Sequence, residues 1–286
     1  MKIAVIPNLT KPDASLLTER AVKTLLSLHA EALLSEEQRS VFPQSGATFA
    51  PEIELYKSCD AVLCIGGDGT IIRCAKEAAR YEKPVLGINV GRLGFVAGLE
   101  ANELGRLSDL IHGEYTTEER MMLEVSLEEN GYIKRYYALN DAVVARGTLS
   151  RILDLRVLLN ESNVCDYRAD GLIVATPTGS TAYSLSAGGP VIDPRMRCIL
   201  LSPICPHSLF TRPVVFGEDS ELAVMTLSEL GAEESYLTID GVISVPLKTY
   251  SGCIRIRKAD ISAIIIKLKD LNFYEVVNMK LAERRA

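Results

Sequence analysis

The sequence lacks tryptophan, has only three histidines in 286 residues and contains no long apolar run. A membrane-spanning helix needs ~20 consecutive apolar residues, so no membrane association is expected. The histidines are far apart, which argues against a structural zinc site. Lys and Arg number 31 against 37 Asp and Glu, giving a net charge of −6. Because nucleic-acid binding needs a basic surface, no nucleic-acid partner is expected.

The seven cysteines are odd in number and scattered, and none belongs to a Cys-x-x-Cys pair. This pattern does not fit a disulfide or metal framework and is typical of reduced thiols in a cytosolic protein. The apolar run at residues 2–6 is too short for a signal peptide. We therefore expect a cytoplasmic protein.

Hydrophobic residues make up 48% of the chain, enough for a sizeable core. Over the first ~115 residues, apolar runs and helical spacing alternate, which predicts an α/β fold. The predicted strands there are 2–6, 61–65 and 85–88, and the predicted helices are 15–34, 71–81 and one around 104–111. Residues 35–58 show no clear pattern.

Short β-branched or alternating runs separated by turns dominate after Arg120 and predict a β-rich domain. The runs are 121–127, 132–138, 142–146, 152–159, 171–175, 198–201, 221–227, 235–239, 252–257 and 261–268. We predict an α/β domain over 1–118, a β-rich domain over 119–270 and a C-terminal segment over 271–286. That segment is either a closing helix that packs back on the first domain or a tail.

The segment Gly66-Gly67-Asp68-Gly69-Thr70 directly follows a buried strand-like run. Glycines allow close backbone approach, and the N–H groups at a helix start favour an anion. We therefore predict a phosphate cradle formed by Gly66, Gly67, Gly69 and Thr70. A carboxylate in such a cradle is electrostatically unfavourable, so Asp68 is interpreted as a proton acceptor or a Mg²⁺ ligand. A tight turn with Asp68 as helix N-cap is the alternative.

The segment 170–190 joins an apolar strand to a dense set of small residues and hydroxyls. Such residues permit close approach and hydrogen bonding in a tight space, and Tyr183 can stack on a ring. The segment predicts a nucleoside-binding loop, with an irregular surface loop as the alternative. The pair Asn140-Asp141 between two strand-like runs is either a turn or an amide and a carboxylate for base and ribose groups. Asp240-Gly241 resembles a turn.

Taken together, these motifs resemble the ATP-NAD kinase family. The resemblance is carried by GGDGT at 66–70, GRLGF at 91–95, Asn-Asp at 140–141, the 170–190 segment, and SPICPHSL with a following Arg-Pro within 202–213. GGDGT alone is weakly specific, because diacylglycerol-type lipid kinases share it. The 170–190 segment joined to GGDGT is highly specific.

The resemblance implies an α/β N-terminal domain, a β-rich C-terminal domain and a cleft between them. It implies a phosphotransferase that moves the γ-phosphoryl of ATP, or of polyphosphate in some members, to the 2′-hydroxyl of the adenosine ribose of NAD, giving NADP. A divalent metal ion, expected to be Mg²⁺, and a homodimer or homotetramer are also implied. The phosphoryl donor preference, activity on NADH and regulation by NADPH are left open.

By the same resemblance, Asp68 matches the catalytic proton acceptor, and no metal ligand is assigned. The implied NAD-binding positions are Asp68, Gly69, Arg73, Phe95, Asn140, Asp141, Arg151, Arg168, Asp170, Thr181, Ala182, Tyr183, Ser184, Leu185 and Ser186. One departure is Val242, where many members carry Gln two residues after the Asp that matches Asp240. Because one ligand hydrogen bond is then in doubt, a non-catalytic dinucleotide sensor stays an alternative, as does a lipid or sugar kinase.

Overall fold

The computed structural model describes residues 1–91, 94–129, 132–147, 152–207, 211–227, 235–247, 253–269 and 272–283. The chain divides into two compact units, which we call the first unit (1–119 with 263–286) and the second unit (120–262). The predicted domain boundaries at 118/119 and 270/271 stay predictions.

The first unit is built around a parallel sheet. Its N-terminal part contains β1 (Lys2–Pro7), α1 (Ala14–Ser27), β2 (Glu31–Ser35), β3 (Thr48–Ala50), α2 (Glu52–Ser58), β4 (Ala61–Gly66), α3 (Asp68–Ala79), β5 (Val85–Asn89), β6 (Leu99–Glu100) and α4 (Leu107–His112). The strand order is β3-β2-β1-β4-β5, with parallel pairing throughout. Strands β4 and β5 are fully buried, as expected for parallel strands covered on both faces.

The strand order of this sheet reverses direction between β1 and β4. In open α/β sheets, ligands bind outside the carboxyl ends of the strands at such a switch point. The segment after β4 is the glycine-rich run at 66–70, so the topology places the predicted phosphate cradle at the edge where a ligand is expected.

The predicted helix over 15–34 is too long. Helix α1 ends at Ser27, His29 adopts a left-handed φ of 58°, and residues 31–35 form strand β2 beside β1. A short apolar run fits a buried strand as well as a helix when only its periodicity is considered. The pairing with β1 decides the matter, and the sequence alone does not show that pairing.

The described part of the second unit consists of antiparallel strands, one 3₁₀ turn and one short helix. Its elements are β7 (Thr116–Glu129), β8 (Tyr132–Ala138), β9 (Asp141–Arg146), β10 (Leu153–Leu159), β11 (Ser162–Ala169), β12 (Gly171–Ala175), the 3₁₀ turn Thr178–Thr181, α5 (Tyr183–Ser186), β13 (Cys198–Ile204), β14 (Val214–Gly217), β15 (Leu222–Thr226), β16 (Ser235–Ile239), β17 (Ile243–Leu247) and β18 (Ile254–Lys267). The first residues of β7 (116–119) and the last residues of β18 (263–267) belong to the first unit, where Ile265 pairs with Val85. Helix α6 (Phe273–Glu283) also belongs to the first unit.

Two sheets form the body of the second unit. One has the order β14-β13-β12-β9-β16-β17, and the other contains β11-β10-β15-β18 with β7 and β8. Leu123, Leu155 and Val224 of one sheet share a buried cluster with Val144 and Leu172 of the other. This is the packing of a β-sandwich, in which the inner faces of two sheets make the core.

The β-rich prediction for this part of the chain is confirmed, although three strands lie outside the predicted runs. These are β11, β14 and β17, whose residues are largely partly exposed or exposed. A strand at the edge of a sheet lacks the continuous apolar run that reveals a buried strand. In the described residues, no helix is both long enough and apolar enough to cross a membrane.

Candidate functional site

Asp68 is the first residue of α3, and its side chain forms hydrogen bonds outside the helix. Gly67 is the N-cap residue of α3, and no side chain caps the helix. The Asp68 carboxylate instead accepts hydrogen bonds from a neighbouring loop: Oδ2 from the Phe95 N–H at 2.9 Å and Oδ1 from the Val96 N–H at 3.3 Å. The carboxylate is thereby held in one orientation at the carboxyl edge of the sheet.

The loop at residues 94–96 lies tightly against Asp68. A Cβ atom on Gly94 would lie 1.9 Å from Asp68 Oδ1, so only glycine leaves room there. The Lys280 ammonium of α6 lies 5.0 Å from the centre of the Phe95 ring, a cation–π contact. Residues 92 and 93 of the same motif lie outside the described residues.

The glycine-rich segment at 66–70 leaves its backbone open. Cβ atoms on Gly67 or Gly69 would meet no atom within 4 Å, whereas one on Gly66 would lie 2.6 Å from the Thr70 hydroxyl. Thr70 is buried, and its hydroxyl accepts a hydrogen bond of 2.9 Å from the Asn8 amide. Gly67 and Gly69 thus have room for a close ligand, while Gly66 and Thr70 shape the turn.

Asn8 was not singled out in the sequence, although it directly follows the first strand. Because β1 and β4 flank the switch point, their carboxyl ends bring Asn8 and Thr70 together. The sequence feature that could have identified Asn8 was therefore its position after a buried parallel strand, and not its residue type. Arg73 lies one turn into α3 and is exposed.

In the second unit, residues 139–141 form a tightly held segment that we call the Asn140–Asp141 turn. Thr176 holds it twice: its N–H donates to the Asn140 carbonyl at 2.9 Å, and its hydroxyl donates to the Leu139 carbonyl at 2.6 Å. A Cβ atom on Gly179 would lie 2.1 Å from the Asn140 carbonyl oxygen. The hydroxyl-rich segment and the Asn140–Asp141 turn, which are separate in the sequence, are therefore in direct contact.

Several hydroxyls of the 170–190 segment serve to hold its own shape. Ser180 Oγ donates to the Pro177 carbonyl at 2.7 Å and accepts from the Ile192 N–H at 3.0 Å. Ser184 Oγ lies 2.8 Å from Ser202 Oγ, and both residues are fully buried. These two predicted loop hydroxyls are thus already used by hydrogen bonds within the protein.

The other groups of this segment differ in exposure and hydrogen bonding. Thr178 Oγ1 is buried and has no hydrogen-bond partner in the described residues, whereas the Thr181 hydroxyl donates to the Thr178 carbonyl at 3.2 Å. Tyr183 is 46% exposed. The remaining predicted positions of the segment, Thr181, Ala182, Leu185 and Ser186, are partly or fully exposed.

The predicted charged positions have different surroundings. Asp170 accepts a hydrogen bond of 2.7 Å from Nε of Arg146, a half-buried ion pair that the sequence did not reveal. Arg168 is exposed on β11, and its carbonyl accepts the His207 N–H at 2.8 Å. Arg151 lies outside the described residues.

Asp141 is a buried carboxylic acid in an unfavourable place for a charge. Its exposed fraction is 4%, and no described residue donates a hydrogen bond to its carboxyl oxygens. Burial, and then the nearby charge of Asp240, raise the pKa of Asp141 to about 7 from an ordinary value of 3.8. The group therefore holds its proton over much of the acidic and neutral range.

This pKa shift predicts how stability depends on pH. Between the two pKa values, 3.8 and about 7, the folded protein binds a proton that the unfolded chain has lost, so the free energy of unfolding falls as pH rises. Above this pH window, the free energy of unfolding carries the full cost of burying the ionised Asp141 carboxylate. We expect Asp141→Asn, a neutral isostere, to raise the free energy of unfolding at about pH 8 by up to ~4 kcal/mol and to flatten its pH dependence.

Urea unfolding at about pH 5 and about pH 8 measures this effect. Asp219→Asn serves as the control, because Asp219 is an exposed aspartate of the same unit with no hydrogen bond or ion pair to the described residues. The prediction is contradicted if the free energy of unfolding changes between these two pH values by the same amount in wild type and in Asp141→Asn.

The first unit is an open parallel α/β structure with a glycine-rich turn and a fixed carboxylate at its switch point. The second unit is a β-sandwich that carries a hydroxyl-rich loop. These features fit a kinase that phosphorylates a hydroxyl group. The family comparisons agree with this class. The model of the ATP-NAD kinase N-terminal domain matches residues 4–115, and that of the ATP-NAD kinase C-terminal domain matches residues 139–268. The chain belongs to the ATP-NAD kinase family, and the predicted fold is confirmed.

Individual relatives match over nearly the whole chain. A protein of Symbiobacterium thermophilum named NAD kinase is 40% identical over 283 residues, which are 98% of this chain and 99% of that protein. The crystal structure of an NAD kinase from Archaeoglobus fulgidus in complex with ATP has a TM-score of 0.77 at 26% identity, covering 99% of each chain. Yeast NADH kinase complexed with NADH shares the fold, with a TM-score of 0.88 at 23% identity over 99% of this chain and 87% of that one.

Proposed function

We infer that this protein is an NAD kinase, which transfers the γ-phosphoryl of ATP to the 2′-hydroxyl of the adenosine ribose of NAD and so produces NADP. The observation that carries this inference is the Asp68 carboxylate, fixed by two backbone N–H groups beside a glycine turn whose backbone faces open space. Family membership and relatives named NAD kinase support the choice of substrates.

Asp68 is suited to accept the proton of the attacking hydroxyl. An ionised carboxylate has about four lone-pair sites, and the loop N–H groups of Phe95 and Val96 occupy two of them. No other described residue donates a hydrogen bond to this carboxylate, so its remaining sites can face a ribose hydroxyl. Phosphoryl transfer passes through a loose transition state, so the residue needs mainly to be in position and to take the proton late.

The backbone of the glycine-rich segment is suited to the phosphate groups. The N–H groups at the start of α3 and the helix dipole favour negative charge, and the open space at Gly67 and Gly69 permits close approach. In the described residues, no group of three or more His, Cys, Asp or Glu is arranged to hold a metal ion. Mg²⁺ usually binds through substrate phosphates and one or two carboxylates. A Mg²⁺ ion bound with ATP would be held mainly by the phosphates, with Asp68 as the nearby carboxylate, and would neutralise phosphate charge.

The second unit supplies groups suited to the nucleoside. The Asn140 side-chain amide has no hydrogen-bond partner among the described residues, and neither does the buried Thr178 hydroxyl. Tyr183 presents an exposed ring. We propose that these groups, with the other NAD-binding positions predicted above, bind the dinucleotide.

We further propose that the enzyme is cytoplasmic and forms a homodimer or homotetramer. All seven cysteines are free thiols, which fits a reducing compartment. Light scattering of the purified protein tests the assembly.

A substrate assay tests the function. Purified protein with NAD, ATP and Mg²⁺ is expected to produce NADP, measured with an NADP-specific dehydrogenase, and to show little turnover with a diacylglycerol or a hexose. Replacing ATP by polyphosphate in a parallel reaction determines the donor. Tight NAD binding without NADP formation would contradict the proposal and favour the sensor, and faster turnover of a lipid or sugar would favour another kinase.

A further inference from the structure

Asp240 lies in the hairpin turn between β16 and β17. Asp240 and Gly241 have φ angles of 49° and 67°, and a type I′ hairpin turn requires positive φ at both central residues. Aspartate tolerates this conformation because its short side chain can form local hydrogen bonds. The turn therefore fixes the backbone from which the Asp240 side chain projects.

The Asp240 carboxylate binds the backbone of a segment about 100 residues earlier in the chain. Oδ1 accepts the N–H groups of Asn140 at 2.8 Å and Asp141 at 3.2 Å, and Oδ2 accepts that of Leu139 at 3.2 Å. The Asp240 N–H donates in return to the Asp141 carbonyl at 2.9 Å. Hydrogen bonds to a charged acceptor are stronger than neutral ones, so Asp240 holds one side of the Asn140–Asp141 turn firmly.

The opposite side of this turn is held by Thr176 and Gly179, as described above. The backbone of the turn is thus fixed from two directions, while the Asn140 amide has no hydrogen-bond partner among the described residues. Side chains that must meet a ligand need a supporting set of interactions of this kind. The arrangement gives Asp240 a role that does not require contact with the ligand.

We propose that Asp240 is a positioning residue for nucleoside binding: it holds the Asn140–Asp141 turn in its NAD-binding geometry and adds to the burial that favours a neutral, hydrogen-bond-donating Asp141 carboxyl. This proposal rests on the proposed function as an NAD kinase. It assigns to Asp240 an effect on NAD affinity rather than on the chemical step.

The two neighbouring carboxyl groups have unequal partners. Asp240 accepts hydrogen bonds from three N–H groups, whereas Asp141 is buried and receives none from the described residues. These conditions, together with the Asp240 charge, raise the pKa of Asp141 to about 7. The elements next to Asp141 carry no other charge: Ala175 of β12 pairs with Asp141, and Ile239 of β16 pairs with Ala142. Segment 176–181 has no ionisable side chain. Asp240 is thus the charged group that faces Asp141 in the described structure.

The variant Asp240→Asn tests the proposal, because asparagine also tolerates the left-handed turn but carries no charge. The loss of charged hydrogen bonds is expected to raise the KM for NAD by about tenfold to a hundredfold, with kcat within about threefold of wild type. In wild type, the affinity for NAD should weaken as pH rises through about 7. In Asp240→Asn this weakening should begin at lower pH, because burial alone then raises the pKa of Asp141 and the contribution of the Asp240 charge is gone.

The control variant is Asp219→Asn, which removes an exposed aspartate of the same unit and should leave KM and its pH profile unchanged. An unchanged KM for NAD in Asp240→Asn overturns the proposal, as does a raised KM with the wild-type pH profile. If Asp240→Asn fails to fold, Asp141→Asn decides. A KM that is independent of pH between about 6 and about 8 supports the proposal, and a wild-type pH dependence overturns it.

Failure of the proposed function is recognised separately. Wild-type protein that forms no NADP contradicts the kinase function itself. In that case, the NAD dissociation constants of wild type and Asp240→Asn, measured by calorimetry at the same pH values, still decide the role of Asp240.

Discussion

Asp68→Asn is expected to lower kcat for NADP formation by a factor of about 10² to 10⁴, the usual contribution of a positioned general base. The amide has nearly the size of the carboxylate but cannot take up the hydroxyl proton. The dissociation constant for NAD should change by less than about threefold, because Asp68 is one of many proposed NAD contacts and the amide keeps its size and a hydrogen-bonding oxygen. Steady-state kinetics and calorimetry measure the two quantities.

The Asp68 carboxylate accepts hydrogen bonds from two backbone N–H groups. A control variant should therefore also replace a carboxylate that accepts a hydrogen bond from a backbone N–H. Asp60 offers this match: it precedes β4, whereas Asp68 follows it, and its Oδ2 accepts the Lys2 N–H at 2.7 Å. Asp60→Asn should retain wild-type turnover. If Asp68→Asn keeps a kcat within about threefold of wild type, Asp68 is not the base.

Gly179→Ala is expected to have the second large effect, on NAD affinity and on stability. The new Cβ would lie 2.1, 2.6 and 2.8 Å from the carbonyl oxygen, carbonyl carbon and Cα of Asn140. These are backbone atoms, so the clash cannot be relieved by a side-chain rotation and the Asn140–Asp141 turn must move. We expect NAD to bind at least about tenfold more weakly and the free energy of unfolding to fall by about 1–3 kcal/mol.

Gly217→Ala is the matched control, because a Cβ on this glycine of the same unit would meet no atom within 4 Å. Its NAD affinity and thermal unfolding midpoint should equal those of wild type. Calorimetric titration and thermal unfolding of both variants make the comparison. Wild-type NAD affinity in Gly179→Ala would show that the Asn140–Asp141 turn does not contribute to the binding site.

The sequence shows its candidate functional residues most clearly where they form continuous motifs. The glycine-rich segment at 66–70 follows a wholly apolar run, so both the strand and the turn could be predicted from composition and order alone. The 170–190 segment was equally clear as a local feature. The individual roles of its hydroxyls were not, because Ser184 is committed to Ser202, a residue outside the segment.

The least predictable contributions come from residues that act over long sequence distances. Asp240 appeared in the sequence only as part of a turn, yet its carboxylate binds the backbone of Leu139, Asn140 and Asp141. Asn8 likewise became meaningful only because β1 and β4 are neighbours in the sheet. No local pattern encodes such contacts, since they depend on which strands pair.

The amino-acid sequence by itself determined the alternation of strand and helix in the first part, the β-rich character of the second, and the motifs that place the chain in its family. These properties follow from local periodicity and from the conformational freedom of glycine, which neighbouring residues set. Only the tertiary structure decided that residues 31–35 form a strand, that loop 94–96 holds Asp68, and that Asp240 holds the Asn140–Asp141 turn. The physical reason is that hydrogen bonds and burial between distant segments exist only after the sheets have formed.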